Sequence, residues 1–366
     1  MKKTHFAVIG AGNGGQSISA HLALKGYKVN LYNRSYDKLK PIIEKGGINL
    51  EGEIEGFGKL NLITDDLKTA IEGTEVILVT VPASAHLKLA EKLLPYLKND
   101  QIVILNPGRT GGALEFYNVF KKREDLKSII AETDTFLYAC RAHEGNAKIY
   151  KVKDVVSVAA IPSTKTKEIV DILNEPFGIF TPARNVLETS FNNFGAIFHP
   201  TPTLLNAARI ETTKGNFQYY IDGISPSVTK ILEKIDKERM KVANALGINV
   251  VSAEVWLKET YNADGNDLYE AIQNTKAYIG LYAPSDLQCR YIFEDVPMSL
   301  VPISSIGRQL GIRTKTIDSI IHLASIIHGI DYWTLGRNPE KLGIKGMNAD
   351  EIMRFVEMGK KEVTVA

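Results

Sequence analysis

The sequence predicts two successive domains of different class: an α/β domain over residues 1–185 and an all-helical domain over residues 186–366. Three observations carry that division. Short apolar runs of strand length alternate with helical patterns up to about residue 185. No strand alternation of any length appears beyond residue 255. A chain of 366 residues is also longer than one typical core organises.

The elements follow in order. His5-Phe6-Ala7-Val8-Ile9 is an apolar run that stops at Gly10. Ile18, His21, Leu22 and Leu24 then repeat at helical spacing, and Lys28-Val29-Asn30-Leu31-Tyr32 alternates as a strand does. Strand, glycine turn, helix and strand in so short a span make a βαβ unit. Val76–Val81 and Ile102–Leu105 are nearly continuous apolar runs, the pattern of strands buried on both faces of a parallel sheet. Leu87, Leu89, Leu93, Leu94 and Leu97 give a helix between them, and Val155–Val158 gives a further strand. The texture changes near residues 183–187. Ser225-Pro226 suits an N-cap and first helical residue, with Gly247 as the stop and Val228, Ile231, Leu232, Ile235, Val242 and Leu246 on one face. Thr314–His328 is helical by pattern, and Asn348-Ala349-Asp350-Glu351 has the form of a capping box.

Composition narrows the function classes. A hydrophobic share of 44% and a charged share of 23% are those of an ordinary globular chain. A net charge of +2 offers no basis for nucleic-acid or anionic-membrane binding, and no apolar run reaches spanning length. The basic start Met1-Lys2-Lys3 leads into glycines rather than a signal-peptide apolar region, so a cytoplasmic location is expected. Cys140 and Cys289 are too few for a disulfide framework or a zinc site, and no metal site is expected. Asn262–Asp267 lacks the spacing and closing glutamate of a calcium loop and reads as a turn.

Gly10-x-Gly12-x-x-Gly15 lies between a strand and a helix, the context in which the pattern signifies a Rossmann-type dinucleotide site. The first glycine makes the tight turn, the second admits a pyrophosphate, and the third packs helix on strand. Asn13 and Gly14 complete the loop at the helix N-terminus, where free N–H groups suit phosphates. The second strand ends in Asn33-Arg34-Ser35 without the acid that bonds a ribose 2′-hydroxyl in NAD sites. Arg34 can pair with a 2′-phosphate and Ser35 adds a donor, so NADP is the preferred cofactor and NAD the alternative. Asp37 lies past the strand end and is expected to face away. Pro82 and His86, in Val81-Pro82-Ala83-Ser84-Ala85-His86, fall in a loop at the carboxyl edge of the sheet, where such folds bind ligands. For His86, packing in the first helical turn competes with a ribose contact.

Three further stretches carry polar chemistry. Asn106-Pro107-Gly108-Arg109-Thr110-Gly111-Gly112 is either a ligand loop or a structural turn. Glu132 and Tyr138 are candidate substrate contacts, against the plainer reading of a strand with a polar end, and Cys140 reads as buried packing. His199, before Pro200 and near Asn192 and Asn193, competes with a reading as a core histidine. A pre-proline residue is also expected away from helical geometry. The segment Arg290-Tyr291-Ile292-Phe293-Glu294-Asp295 supplies a guanidinium able to grip a carboxylate and an acid able to orient an imidazole. Its plainer reading is a surface salt-bridge patch.

Taken together, Gly10–Gly15, Val81–His86, Asn106–Glu115, Glu132–Thr135, Tyr138–Arg141, His199-Pro200 with Leu204–Glu211, Arg290–Pro297 and Gly336–Gly343 resemble the opine dehydrogenases, the octopine/nopaline group. The resemblance spans nearly the whole chain. It implies a two-domain enzyme whose helical half is of the 6-phosphogluconate dehydrogenase type, condensing an amino acid with a 2-oxo acid and reducing the imine at the domain cleft. It also implies His199 as catalytic histidine, Asp295 as its partner and Arg290 as the arginine of the substrate domain, taken here as catalytic and substrate-binding; Asn193, by its place near His199, is a further candidate substrate contact. Leu137 stands where the family pattern usually has proline. A ketopantoate-reductase-like 2-oxo acid reductase is the rival, weakened by the lack of lysine in residues 186–200. A non-catalytic NADP(H) sensor is the alternative of another class. The surfaces of the helical domain are compatible with a homodimer.

Overall fold

The computed structural model describes residues 3–360. It divides into two compact units. The first comprises the described chain up to Gly108, then Gly112–Thr189, and the last residues from Arg354. The second comprises Arg109–Gly111 and Ser190–Met353. The sequence reading puts one boundary near 183–187. The observed partition also lends a tripeptide of the earlier region to the second unit and the end of the chain to the first.

The first unit is built on an eight-stranded sheet. Its strands are β1 (His5–Ile9), β2 (Lys28–Tyr32), β5 (Leu62–Thr64), β6 (Val76–Val79), β7 (Ile102–Leu105), β8 (Ile129–Thr133), β11 (Val156–Ile161) and β12 (Phe180–Pro182). Their order is β12-β11-β8-β7-β6-β1-β2-β5, parallel except for the β8–β11 pair. Every residue of β6 and β7 is buried, which is why these strands are apolar at each position rather than at alternate ones. β6 ends at Val79 rather than Val81 because the Thr80 hydroxyl turns to the Ile9 and Gly10 carbonyls.

A second, four-stranded sheet escapes the sequence reading apart from its Tyr138–Arg141 edge. It comprises β3 (Gly47–Gly52), β4 (Gly56–Lys59), β9 (Tyr138–His143) and β10 (Asn146–Val152), ordered β4-β3-β10-β9. Two of its strands, β3 and β4, carry glycines. Only a few residues, among them Ile48, Leu50, Ala147 and Ile149, enter the core shared with Phe6, Val8, Ile18 and Leu31.

In the second unit, Pro226–Ala245 is capped by the Ser225 hydroxyl and buries Leu232, Ile235 and Val242. Asn348 and Glu351 exchange backbone-to-side-chain hydrogen bonds of 2.7 and 3.0 Å, a capping box at the helix Ala349–Met358. All strands of the described chain end by Pro182; beyond it only a Gln218–Tyr282 bridge pairs backbones. Asp267 caps the helix Leu268–Asn274, and Asn262 is left-handed at φ 50°, so that segment is a turn between helices. No helix among the described residues is long and apolar enough to cross a membrane.

Candidate active site

The first unit presents the glycine loop. Gly10 has φ 115°, and an added Cβ there would lie 2.9 Å from Val81. A Cβ at Gly15 would lie 1.7 Å from the Gly10 carbonyl oxygen, so helix and strand approach too closely for any side chain. At Gly12, the N-cap of the helix Asn13–Leu24, nothing lies within 4 Å of the added position. That contrast suits a dinucleotide: two glycines serve the protein's own packing, and the middle one leaves backbone open to a pyrophosphate. Gly14 packs on Phe136, and the Asn13 side chain accepts from Ala142 N at 2.9 Å, which ties the glycine loop to β9.

Asn33 accepts from Ala11 N at 3.2 Å and donates to the Ser35 carbonyl at 3.0 Å, tying the second strand's end to the glycine loop. Ser35 precedes the single turn Tyr36–Lys38. Arg34 is exposed and makes no hydrogen bond or ion pair among the described residues. Asp37 pairs with Lys40 at 2.9 Å, which turns its carboxylate to its own loop. Pro82 opens the turn Ala83–Ala85, and His86 is buried edge-on to Phe116, which favours its packing role.

Two residues expected as substrate contacts of this unit are buried and bonded within it. Glu132 is fully buried; its carboxylate accepts from Ala113 N at 2.7 Å and from the Thr189 hydroxyl at 2.9 Å. It therefore holds the start of the helix Gly112–Phe120. A Cβ at Gly108 would fall 2.2 Å from the same carboxylate, so the glycine is part of that fit. Glu132→Ala is expected to cost about 2–4 kcal/mol through lost capping and stranded buried donors. Calorimetry should show a lowered unfolding temperature with substrate KM unchanged; the reverse pattern would restore the substrate role. Tyr138 is likewise buried, its hydroxyl on His21 of the helix Asn13–Leu24. Burial, then Lys25, hold that imidazole down at about 4, so it stays neutral as Tyr138's partner.

In the second unit, the helix Gly195–Phe198 ends at His199, and Pro200 starts the next, Pro200–Leu205. His199 keeps φ −107° and ψ −63°, still right-handed, so proline widens φ without expelling the residue from the helical region. Its carbonyl accepts from the Thr203 hydroxyl at 2.8 Å and the Tyr219 hydroxyl at 2.6 Å, which fixes the backbone. The ring stacks on Tyr291 at 4.3 Å.

His199 Nδ1 lies 2.8 Å from Asp295 Oδ2. A carboxylate only accepts, so Nδ1 carries the proton and Nε2 is left as the base. Nε2 makes no hydrogen bond among the described residues, and the side chain keeps 21% exposure against 1% for Asp295. Asp295 follows the one-turn helix Arg290–Phe293 and starts a π-helical turn, Val296–Leu300, of the kind that often accompanies functional sites.

Two arginines stand near the dyad. Arg290 is 68% exposed and bonds Glu294 through Nε at 3.0 Å and Nη2 at 2.6 Å. The guanidinium that reaches Asp295 belongs to Arg109: Nη1 lies 3.1 Å from Asp295 Oδ1 and Nη2 lies 3.5 Å from Glu294. Burial alone would depress the Arg109 guanidinium, but the Asp295 and Glu294 carboxylates outweigh it and hold it above its ordinary value. Asn193 is buried and accepts from Arg109 Nη1 at 3.1 Å and from Gly195 N at 3.2 Å. Its amide oxygen thus supports Arg109.

Comparison with known proteins identifies the family. Residues 182–328 match the alpha-helical domain of NAD/NADP octopine/nopaline dehydrogenase, and residues 5–108 match the NAD binding domain of 6-phosphogluconate dehydrogenase. An opine dehydrogenase of Arthrobacter sp. (strain 1C) is 39% identical over 96% of this chain and 98% of its own length. The chain belongs to the opine dehydrogenase family. As a member it is an NAD(P)-dependent dehydrogenase acting on CH–NH, by reductive condensation of an amino acid with a 2-oxo acid. Solved relatives share the family fold. Octopine dehydrogenase with NADH and L-arginine has a TM-score of 0.82 at 22% identity, covering 100% of both chains. NADP+-bound yersinopine dehydrogenase has 0.72 at 15% identity, covering 97% of this chain and 98% of its own.

Proposed function

We propose that His199, oriented by Asp295, carries the proton transfers of the condensation, and that Arg290 holds the 2-oxo acid carboxylate. The observation that carries this reading is the 2.8 Å pair with its free, partly exposed Nε2. Nε2 takes a proton from the substrate ammonium, which frees the amine to attack the oxo carbon. The same nitrogen then returns a proton to the carbinolamine hydroxyl, which leaves as water and gives the imine. General acid–base work of this kind needs one ring nitrogen free and the other fixed. Arg290, held by Glu294 at Nε and Nη2, keeps Nη1 for the substrate carboxylate. Bound NAD(P)H supplies the hydride that completes the reduction.

Within this reading, NADPH is the preferred cofactor. Support comes from the exposed, uncommitted Arg34, and from Asp37 being occupied by Lys40 instead of facing a ribose. A charge-assisted contact to a 2′-phosphate is worth about 1.5–3 kcal/mol. Arg34→Ala should therefore raise the KM for NADPH about tenfold or more and leave that for NADH unchanged. Equal changes for both cofactors would remove the assignment.

The reaction itself is tested by a matrix of common 2-oxo acids against amino acids, following NADPH oxidation. Oxidation that depends on both components is expected. Oxidation with the oxo acid alone, indifferent to the amine, would favour a simple 2-oxo acid reductase.

A further inference from the structure

We propose that Arg109 is a positioning residue of this reaction, clamping the Asp295 carboxylate so that its other oxygen faces His199. The inference rests on the proton-transfer role just proposed for His199. Asp295 bonds His199 through Oδ2 at 2.8 Å, while its buried Oδ1 makes no hydrogen bond and stands in an ion pair 3.1 Å from Arg109 Nη1. With one oxygen bonded to the ring and the other drawn to a guanidinium, the carboxylate resists rotation away from the imidazole. The clamp is itself built in. A Cβ at Gly195 would stand 2.3 Å from Arg109 Nη1 and 2.7 Å from Asp295 Oδ1, so only glycine leaves room for the pair. Asn193 accepts the hydrogen bond from Arg109 Nη1.

The backbone carrying Arg109 is equally fixed. Arg109 has φ 59°, a left-handed conformation that a non-glycine residue keeps only where its surroundings over-determine it. Its neighbours supply that constraint within the second unit. Thr110 N donates to Met298 O at 3.1 Å and the Thr110 hydroxyl to Ser190 O at 3.2 Å. Gly111 N donates to the Ser190 hydroxyl at 2.9 Å, and Arg337 Nη1 donates to Thr110 O at 3.0 Å.

The charges make the role testable. Asp295 and Tyr291 face the His199 ring, and Tyr219 bonds its carbonyl. Behind Asp295 stand Arg109, Glu294, Arg290 and Cys289. Two guanidiniums thus balance two carboxylates. Without Arg109 the cluster carries one excess negative charge, which favours the protonated ring. A base that stays protonated to higher pH loses activity sooner on acidification, so the acid limb of the kcat/KM profile moves up.

The test uses the full chain with NADPH, pyruvate and the amino acid that gives the fastest turnover. Arg109→Gln is expected to lower kcat by roughly 10–100-fold and to raise the acid limb by about one pH unit, with the KM for NADPH within about twofold. Arg109→Lys keeps the charge without the fork, so it should restore the limb while kcat stays reduced. In an Asp295→Asn background, Arg109→Gln should add less than about threefold, since the two act as one unit. An Arg109→Gln enzyme with wild-type kcat and limb overturns the proposal. Should that variant not fold, Arg109→Lys decides: a lowered kcat with an unmoved limb supports the clamp, and an unchanged kcat overturns it. His199→Gln, run alongside, separates the two readings. Turnover surviving there contradicts the base assignment, whereas turnover lost there but intact in the Arg109 variants contradicts the clamp alone.

Discussion

His199→Ala is expected to lower kcat by about 10²–10⁴-fold while NADPH binds as tightly as to the wild type. The imidazole is in the second unit, its backbone fixed by Thr203 and Tyr219, and none of the glycine-loop contacts involves it. The loss should therefore fall on chemistry. Asp295→Asn makes the complementary case. Its amide can present an N–H to Nδ1, which moves the ring proton to Nε2 and removes the base while changing little in shape. In a Ser-His-Asp triad the equivalent exchange costs about 10⁴ in kcat, and a loss approaching that size is expected here. Stopped-flow NADPH oxidation with titrated cofactor affinity measures both variants. Equal loss of affinity and turnover in His199→Ala would mark the histidine as structural.

Gly12→Ala and Gly15→Ala should both lose the cofactor, for different reasons. At Gly12 the added methyl meets nothing of the protein within 4 Å, so the variant should fold and melt as the wild type does. The methyl would occupy space needed by the pyrophosphate, and NADPH affinity should fall by about 100-fold, roughly 2.7 kcal/mol. At Gly15 the methyl would lie 1.7 Å from the Gly10 carbonyl, so the first unit itself should be destabilised. Fluorescence titration with NADPH, read beside a melting curve, separates the two. Unchanged affinity in a well-folded Gly12→Ala would place the pyrophosphate elsewhere.

The strands and helices that the sequence announces are those with strong periodicity. β6 and β7 are apolar at every position because both faces are covered, and Pro226–Ala245 carries its cap and its stop in the sequence. The four-stranded sheet around Ile48, Leu50 and Ile149 is less legible, since β3 and β10 each give the core two buried apolar residues and β4 gives none. At the site, Asp295 stands in a polar cluster but His199 in a largely apolar segment, and the resemblance to the opine dehydrogenases is what pairs them from the sequence. Arg109 could not be joined to them from the sequence alone. It lies ninety positions before His199, and only the fold carries its loop into the second unit. Its flanking glycines and left-handed backbone are the signal that was present, readable as a turn but not as a turn with a destination. Glu132 shows the opposite limit: a carboxylate beside a polar run reads as a ligand contact until its donors, Ala113 N and the Thr189 hydroxyl, are seen.

The central claim is that this chain joins an amine to an oxo acid through one oriented imidazole. The most direct measurement is the rate of NADPH oxidation at a saturating concentration of the 2-oxo acid that the matrix selects, as amino acid is added, for the wild type and for Asp295→Asn. The account predicts oxidation that rises from near zero with the amino acid in the wild type and stays near zero in the variant. Oxidation independent of the amino acid, or undiminished in Asp295→Asn, would contradict it.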